Sequence, residues 1–361
     1  MADLETEPLL RTHSRPQHEN YDYQREQQLQ KAHIEQFPYA GTSLDTATIG
    51  RHISWTSAYI LVISRVIGSG IFAMPGTIFQ NVGSIGLALT LWVAGAGIAW
   101  IALSIDIEYG CMLPRSGGIK VYLEYTYLKP RFLASTMVSI YAILLGFTAS
   151  NCIVFSKYLI FATGIEFTDF NTKACAVGLL TTITIVHACF YKTGIWIQNT
   201  IGFLKIGLIT FMIGTGLFVL LFRNSSATAS TTVRSSHDWE YLWSGSHWSL
   251  GIIAPAVLKV SYSYAGLENV NYVLNEVKNP VRAVRTVGPA ALFTACLMYV
   301  LMNIAYFAVV PLEEIKHSRE LIAALFFERV FGAGFGNVFL PLTIATSTAG
   351  NVMVSVFALV R

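Results

Sequence analysis

The chain has 361 residues, of which 53% are hydrophobic and only 12% charged, well below the roughly 25% charged of ordinary soluble domains. The formal net charge of +3 comes without a dense Lys/Arg block, which excludes a nucleic-acid partner and suits loops beside anionic lipid headgroups. Five cysteines, Cys111, Cys152, Cys175, Cys189 and Cys296, have no CxxC spacing and no neighbouring His/Cys cluster, so neither a metal or other cofactor nor a disulfide framework is expected, and they give no clue for or against a disulfide-linked ancillary subunit.

Residues 1–51 are rich in Glu, Gln, His, Arg and Thr and poor in aliphatic residues, too polar to offset the entropy of ordering, and are expected to form a disordered cytosolic tail. The start lacks the charged-then-apolar pattern of a cleavable signal, so the first apolar segment should stay in the membrane. Within the tail, Glu5 to Leu10 (Glu-Thr-Glu-Pro-Leu-Leu) fits an acidic di-leucine sorting pattern, and Lys31 is the tail's sole lysine, the natural candidate for ubiquitination. The plasma membrane is the favoured location, with a vacuolar or endosomal membrane as the second choice.

Residues 52–361 read as a transmembrane core. Apolar segments at about 53–79, 82–106, 132–159, 174–190, 198–222, 248–269, 288–310 and 336–360 each approach the roughly 20 residues that cross about 30 Å of hydrocarbon as helix. Their interiors lack the apolar/polar alternation of barrel strands, and backbone in lipid must satisfy itself within the segment, so the class is all-α and polytopic. With the tail inside, the cytosolic loops carry eight basic residues (Arg115, Lys120, Lys129, Arg131, Lys192, Lys278, Arg282, Arg285) and the opposite loops six (Lys173, Arg223, Arg234, Lys316, Arg319, Arg329), a bias favouring this orientation. The one glycosylation sequon, at Asn224, falls in an outer loop.

Span one contains Arg65-Val66-Ile67-Gly68-Ser69-Gly70-Ile71-Phe72 and then Pro75-Gly76, a cluster of weak helix formers in mid-membrane. A break there exposes backbone N–H groups and the positive end of the following half-helix, a site for a carboxylate at the bilayer midplane. The competing reading is a GxG packing notch between helices. Span six repeats the feature at Tyr262-Ser263-Tyr264-Ala265-Gly266-Leu267-Glu268-Asn269, and paired interruptions in corresponding spans of two repeats mark a transporter binding site.

Four patches now carry a resemblance: Ile67 to Phe72 with Pro75; Glu108-Tyr109-Gly110 followed by Pro114 to Gly118 and Tyr122; Gln198-Asn199 with Lys205; and Gly266 to Asn271 leading to Glu276-Val277-Lys278-Asn279-Pro280. In order and spacing they resemble the amino acid–polyamine–organocation superfamily, its L-type amino acid transporter branch and the fungal methionine-permease-like members within it. The resemblance implies an inverted five-helix repeat with broken helices 1 and 6. It implies that backbone N–H groups of Gly68, Ser69 and Gly70 hold a substrate's α-carboxylate, with Ile71 just beyond, and that the Ile67 carbonyl faces the α-amine. The backbone near Tyr262, Ser263 and Tyr264 would complete the cradle, with Tyr262 an aromatic gate and Gly266 giving the side chain room. Lys205 would stand where sodium-driven cousins hold an ion, as a coupling residue carrying a proton or a fixed charge and bracing span five against spans one and eight. Snorkelling of Lys205 to the cytosolic interface is the alternative.

Leu267 stands where many L-type relatives have Trp, and Glu268 where they have Asn, so substrate preference is not transferable. Arg65 and Lys259 are further charges at membrane depth, which are functional hypotheses by default. Relatives have about twelve helices, so the second repeat is expected to lack its last members and this span set alone to be inactive. The expected function is a secondary transporter moving a neutral amino acid, methionine or another apolar one, across the bilayer by alternating access. A receptor that binds an amino acid without moving it is the alternative. An enzyme is excluded, because neither HExxH nor GxSxG occurs.

Overall fold

The computed structural model describes residues 51–361 apart from 69, 128, 131–132, 145–147, 165, 167, 223–238, 319–321 and 361. The tail up to residue 50, with its sorting pattern and Lys31, lies outside the described residues, as do the Asn224 sequon and Ser69. Among the described residues every regular element is a helix, and the one β contact is an isolated parallel bridge between Ile53 and Val277. The chain is an all-α, multi-pass membrane protein: Ile85–Met112, Asp169–Cys189, Lys192–Phe222, Leu250–Glu276 and Pro280–Val309 are each long and apolar enough to cross a membrane.

Span one is two helices, α1 (Trp55–Val66) and α2 (Gly70–Val82). Ser54 caps the first, its hydroxyl accepting from the Ser57 amide at 3.3 Å, which satisfies one of the donors that every helix start leaves free. At the other end Ile67 leaves helical geometry, with φ −72° and ψ 90°. Gly83, at φ +79°, turns the chain into α3 (Ile85–Met112), whose first turn is capped by Ser84; only glycine takes that backbone region without strain.

The amphipathic α4 (Ile119–Thr126) precedes α5 (Leu133–Leu144) and α6 (Thr148–Thr163), which together occupy the expected third span. The fourth and fifth spans are α7 (Asp169–Cys189) and α8 (Tyr191–Phe222). Short α9 (Trp239–Trp243) leads to span six, where α10 (Leu250–Ser263) stops and a 3-10 helix (Leu267–Glu276) follows. Gly266 makes that break at φ +105°. Pro280 opens α11 (Pro280–Val309), its missing N–H costing nothing at a helix start. Then come α12 (Leu312–Ser318), α13 (Ile322–Phe331) and α14 (Ala333–Val360), the last where the eighth span is expected.

Packing gathers these helices around the two breaks: α11 lies against α1, α3 and α8, α10 against α2 and α3, and α14 against α6, α7 and α8. Close approach is set by small residues, Gly202 of α8 seated over Ile60 of α1 and Gly216 against Ala305 of α11. Such contact drives helix association in lipid, where apolar burial by itself does not. The complement is an apolar outer face, on which Val93, Ile101, Leu221 and Leu258 are exposed. Before span one, the Ile53 amide donates to the Glu276 carbonyl and the Lys278 amide to the Ile53 carbonyl, both at 2.9 Å, which pairs the entry of span one with the exit of span six.

Candidate binding site at the paired helix breaks

Two half-helices ending in the protein interior leave carbonyls without intrahelical partners. The buried Tyr299 of α11 meets both ends: its hydroxyl lies 2.8 Å from the Val66 carbonyl and 2.9 Å from the Ser263 carbonyl, so one O–H stands between the last turn of α1 and the last turn of α10 and can donate to either. Tyr306, two turns further along the same face, donates to the Ile71 carbonyl at 3.4 Å. The Tyr264 hydroxyl donates to the Trp92 carbonyl at 3.1 Å, and the rings of Trp92, Tyr264 and Tyr299 pack on one another with centroids 5.1 to 6.2 Å apart. Aromatic rings bring large contact area with few rotatable bonds, which makes this a stiff floor beneath the breaks.

The breaks touch. A Cβ built on Gly70 would come 3.0 Å from the Ser263 hydroxyl and 3.5 Å from the Ser263 Cα, so the start of α2 and the end of α10 meet at a residue with no side chain. Gly68 meets α14: Asn351 Nδ2 sits where a side chain on Gly68 would begin. Gly68, Gly70, Ile67, Ile71, Ser263 and Tyr264 are thereby brought into one region, and Ile67, Ile71, Ser263 and Tyr264 are buried.

Other expected site residues are placed differently. Tyr262 is 53% exposed on α10. The room over Gly266 is taken by the Arg65 side chain. Ser263 donates back along its own helix to the Lys259 carbonyl at 3.1 Å, and Glu268 Oε2 accepts from the Gly266 amide at 3.2 Å. Among the described residues Lys259 and Glu268 join no ion pair.

Lys205 of α8 is 3% exposed, and its ammonium points inward. It donates to the Ser64 carbonyl at 2.8 Å, to the Ile67 carbonyl at 3.0 Å and to Asn351 Oδ1 at 3.0 Å. Three acceptors match the three donors of an ammonium, the arrangement a cation at membrane depth requires. The Ile67 carbonyl, expected to face a substrate amine, keeps a second lone pair beside its bond to Lys205. A cavity of about 240 Å³ lies next to Lys205 between α2, α8 and α14, with walls that include Ile67, Phe72, Leu208, Leu342 and Ser347.

Two residues of this site, Tyr299 and Asn351, were not marked by the sequence reading. Asn303 lies one turn beyond Tyr299 on the same helix, so a polar face at Tyr299, Asn303 and Tyr306 was available as a signal in an otherwise apolar span.

A family model described as amino acid permease matches residues 53–361. The low-affinity methionine permease of Saccharomyces cerevisiae is 33% identical over 313 residues, covering 86% of this chain and 56% of that protein. The high-affinity methionine permease of the same yeast is 34% identical over 299 residues, 82% of this chain and 51% of that protein. The b(0,+)-type amino acid transporter 1 of Mus musculus is 30% identical over 319 residues, 86% of this chain and 61% of that protein. The chain thus spans between 51% and 61% of the length of these relatives.

Proposed function

The chain belongs to the amino acid permease family, and from that premise we propose that it is the core of a secondary transporter that moves a neutral amino acid, methionine or another apolar one, across the plasma membrane by alternating access. The observation that carries the reading is the meeting of two broken spans at Gly70 and Ser263, with unwound backbone at Ile67 and Gly68 in front of the first turn of α2. Free N–H groups at that helix start suit the α-carboxylate, and carbonyls at the ends of α1 and α10 suit the α-amine. Backbone recognition of both charges leaves the side chain as the variable part.

The side-chain preference draws support from two methionine permeases among the relatives and from the aromatic floor of Trp92, Tyr264 and Tyr299. Lys205 supplies the coupling: its cation occupies the junction of α1, α8 and α14, where gain or loss of a proton, or a fixed charge, biases how α1 sits against the bundle.

The test is uptake of a panel of labelled amino acids, at two pH values, by cells expressing the full gene, followed by counterflow in reconstituted vesicles. Saturable uptake of methionine with exchange against unlabelled substrate is the expected result. Binding without exchange would replace the transporter by a receptor of the same fold.

A further inference from the structure

Asn351 is 5% exposed, on α14, and its carboxamide stands between Lys205 and the break in span one. Oxygen and nitrogen of an amide are assigned from their partners, and here the partner decides: an ammonium has only donors, so the face toward Lys205 must be the oxygen. Nδ2 is therefore turned the opposite way, and it lies against Gly68, occupying the position a Gly68 side chain would need. Among the described residues Nδ2 donates to nothing, while the Asn351 carbonyl is engaged by Ser355 at 2.8 Å and its Oδ1 by Lys205 at 3.0 Å. A donor with no partner among the described residues, on a side chain this buried, is placed to be completed by a ligand oxygen.

We infer that Asn351 is a substrate-binding residue whose Nδ2 donates to the α-carboxylate of the amino acid held at Gly68 and Gly70. The inference rests on the binding site proposed above and adds a side-chain donor from span eight to its backbone donors. A carboxylate offers two oxygens and about four lone pairs; the first turn of α2 serves one oxygen and Asn351 the other. The same carboxamide accepts from Lys205, which polarises it and strengthens the bond on its nitrogen side. One side chain thereby joins the anionic end of the substrate to the buried cation, so that substrate binding and the state of Lys205 are felt through a single hydrogen-bonded unit.

The experiment uses the full-length protein and labelled methionine, with unlabelled methionine and methioninamide as competitors. Methioninamide keeps the amine and side chain but has no carboxylate charge. The ratio of the two inhibition constants is independent of how much protein reaches the membrane, so it reads the site even for a variant made in low yield. In the wild type methionine competes far better than methioninamide. Asn351→Leu, which removes the donors, should shrink that preference by about tenfold to about a hundredfold, the effect of one hydrogen bond to a charged group. Asn351→Asp keeps the shape and the bond to Lys205 but puts an anion in front of the carboxylate, and should shrink the preference further or reverse it. An unchanged ratio in both variants, even with reduced uptake, would overturn the inference and leave Asn351 as a brace for Lys205 alone. Absence of any competable amino acid uptake by the wild type would instead overturn the proposed function.

Discussion

The ammonium of Lys205 donates to Oδ1 of Asn351 at 3.0 Å while two carbonyls of the span-one break, Ser64 and Ile67, accept its remaining protons. A single buried cation therefore ties span five to spans one and eight. Charge-assisted bonds contribute about 1.5–3 kcal/mol each, and removing a cation leaves its acceptors unpaired. A glutamine at this position brings at most two donors on a shorter stem. Lys205→Gln in the full-length protein should lose uptake by at least about tenfold while reaching the membrane in near-normal amount. Lys205→Arg should not rescue it, because a planar fork cannot direct donors to three converging acceptors. Near-normal uptake by either variant, measured against surface abundance, would remove Lys205 from the mechanism.

Gly350 forms the wall behind that lysine. A Cβ there would stand 2.7 Å from Ile201 Cγ2, 2.9 Å from Lys205 Cε and 3.1 Å from Lys205 Nζ. Gly350→Ala should cost about 1–3 kcal/mol by overpacking and should push the ammonium off its acceptors. Adding Ile201→Leu, which lacks the Cγ2 branch at nearly constant volume, relieves the first contact and not the second. Thermal unfolding in detergent should then recover in the double variant while uptake stays low. Recovery of both together would mean that the packing, and not the position of Lys205, matters.

Gly70 offers a sharper test of the cradle. Its missing side chain faces Ser263 across the two breaks, with a Cβ at 3.0 Å from the hydroxyl. Alanine meets only the end of a small side chain, whereas the branched carbons of valine have no space and β-branching opposes the first turn of α2. Gly70→Val should abolish uptake, and Gly70→Ala should retain a fraction of it. Normal transport by Gly70→Val would show that the carboxylate does not approach this backbone.

Much of this was legible in the residues. Five of the eight apolar segments fall on helices long and apolar enough to cross a membrane, because lipid demands length and apolar content of a helix, and Gly68, Gly70 and Gly266 marked the breaks because helices form poorly there. Boundaries were less legible. Span five begins at Tyr191, ahead of the expected 198, and span seven at Pro280, ahead of 288, since the interfacial turns of a membrane helix are amphipathic and do not stand out by hydropathy. The helices α12 and α13 were hidden in what reads as a polar outer loop; α13 buries Ile322, Phe326 and Phe327, a stripe too short to register as a span. Of the four patches behind the family resemblance, the second and fourth turn out to clamp each other. The Ser116 amide donates to Asn275 Oδ1 at 3.2 Å, the Asn275 amide to the Ser116 hydroxyl at 2.9 Å, and the Gly118 amide to the Asn271 carbonyl at 3.2 Å. Those contacts hold a loop to span six, a packing role that spacing alone does not separate from a binding one. Tyr299 and Asn351 escaped because their roles depend on what faces them from other helices.

Tyr299 carries the last prediction. Its hydroxyl has one proton and lies between two carbonyls, Val66 at 2.8 Å and Ser263 at 2.9 Å, each at the end of a half-helix where no amide of its own helix reaches it. The proton can serve one carbonyl at a time, which lets the hydroxyl follow α1 or α10 as the two breaks shift. Phenylalanine keeps the ring and its packing on Trp92 and Tyr264, both at centroid distances of 5.1 Å, so the substitution isolates the hydroxyl. Leaving two buried carbonyls with one fewer donor should cost about 1–3 kcal/mol. Tyr299→Phe should therefore lower the unfolding temperature in detergent and reduce the rate of exchange more than the affinity for substrate, because the hydroxyl touches the hinge ends and not the ligand. An unchanged unfolding temperature with unchanged exchange would show that the breaks are held by packing alone. A change confined to affinity would move Tyr299 from the hinge into the binding site.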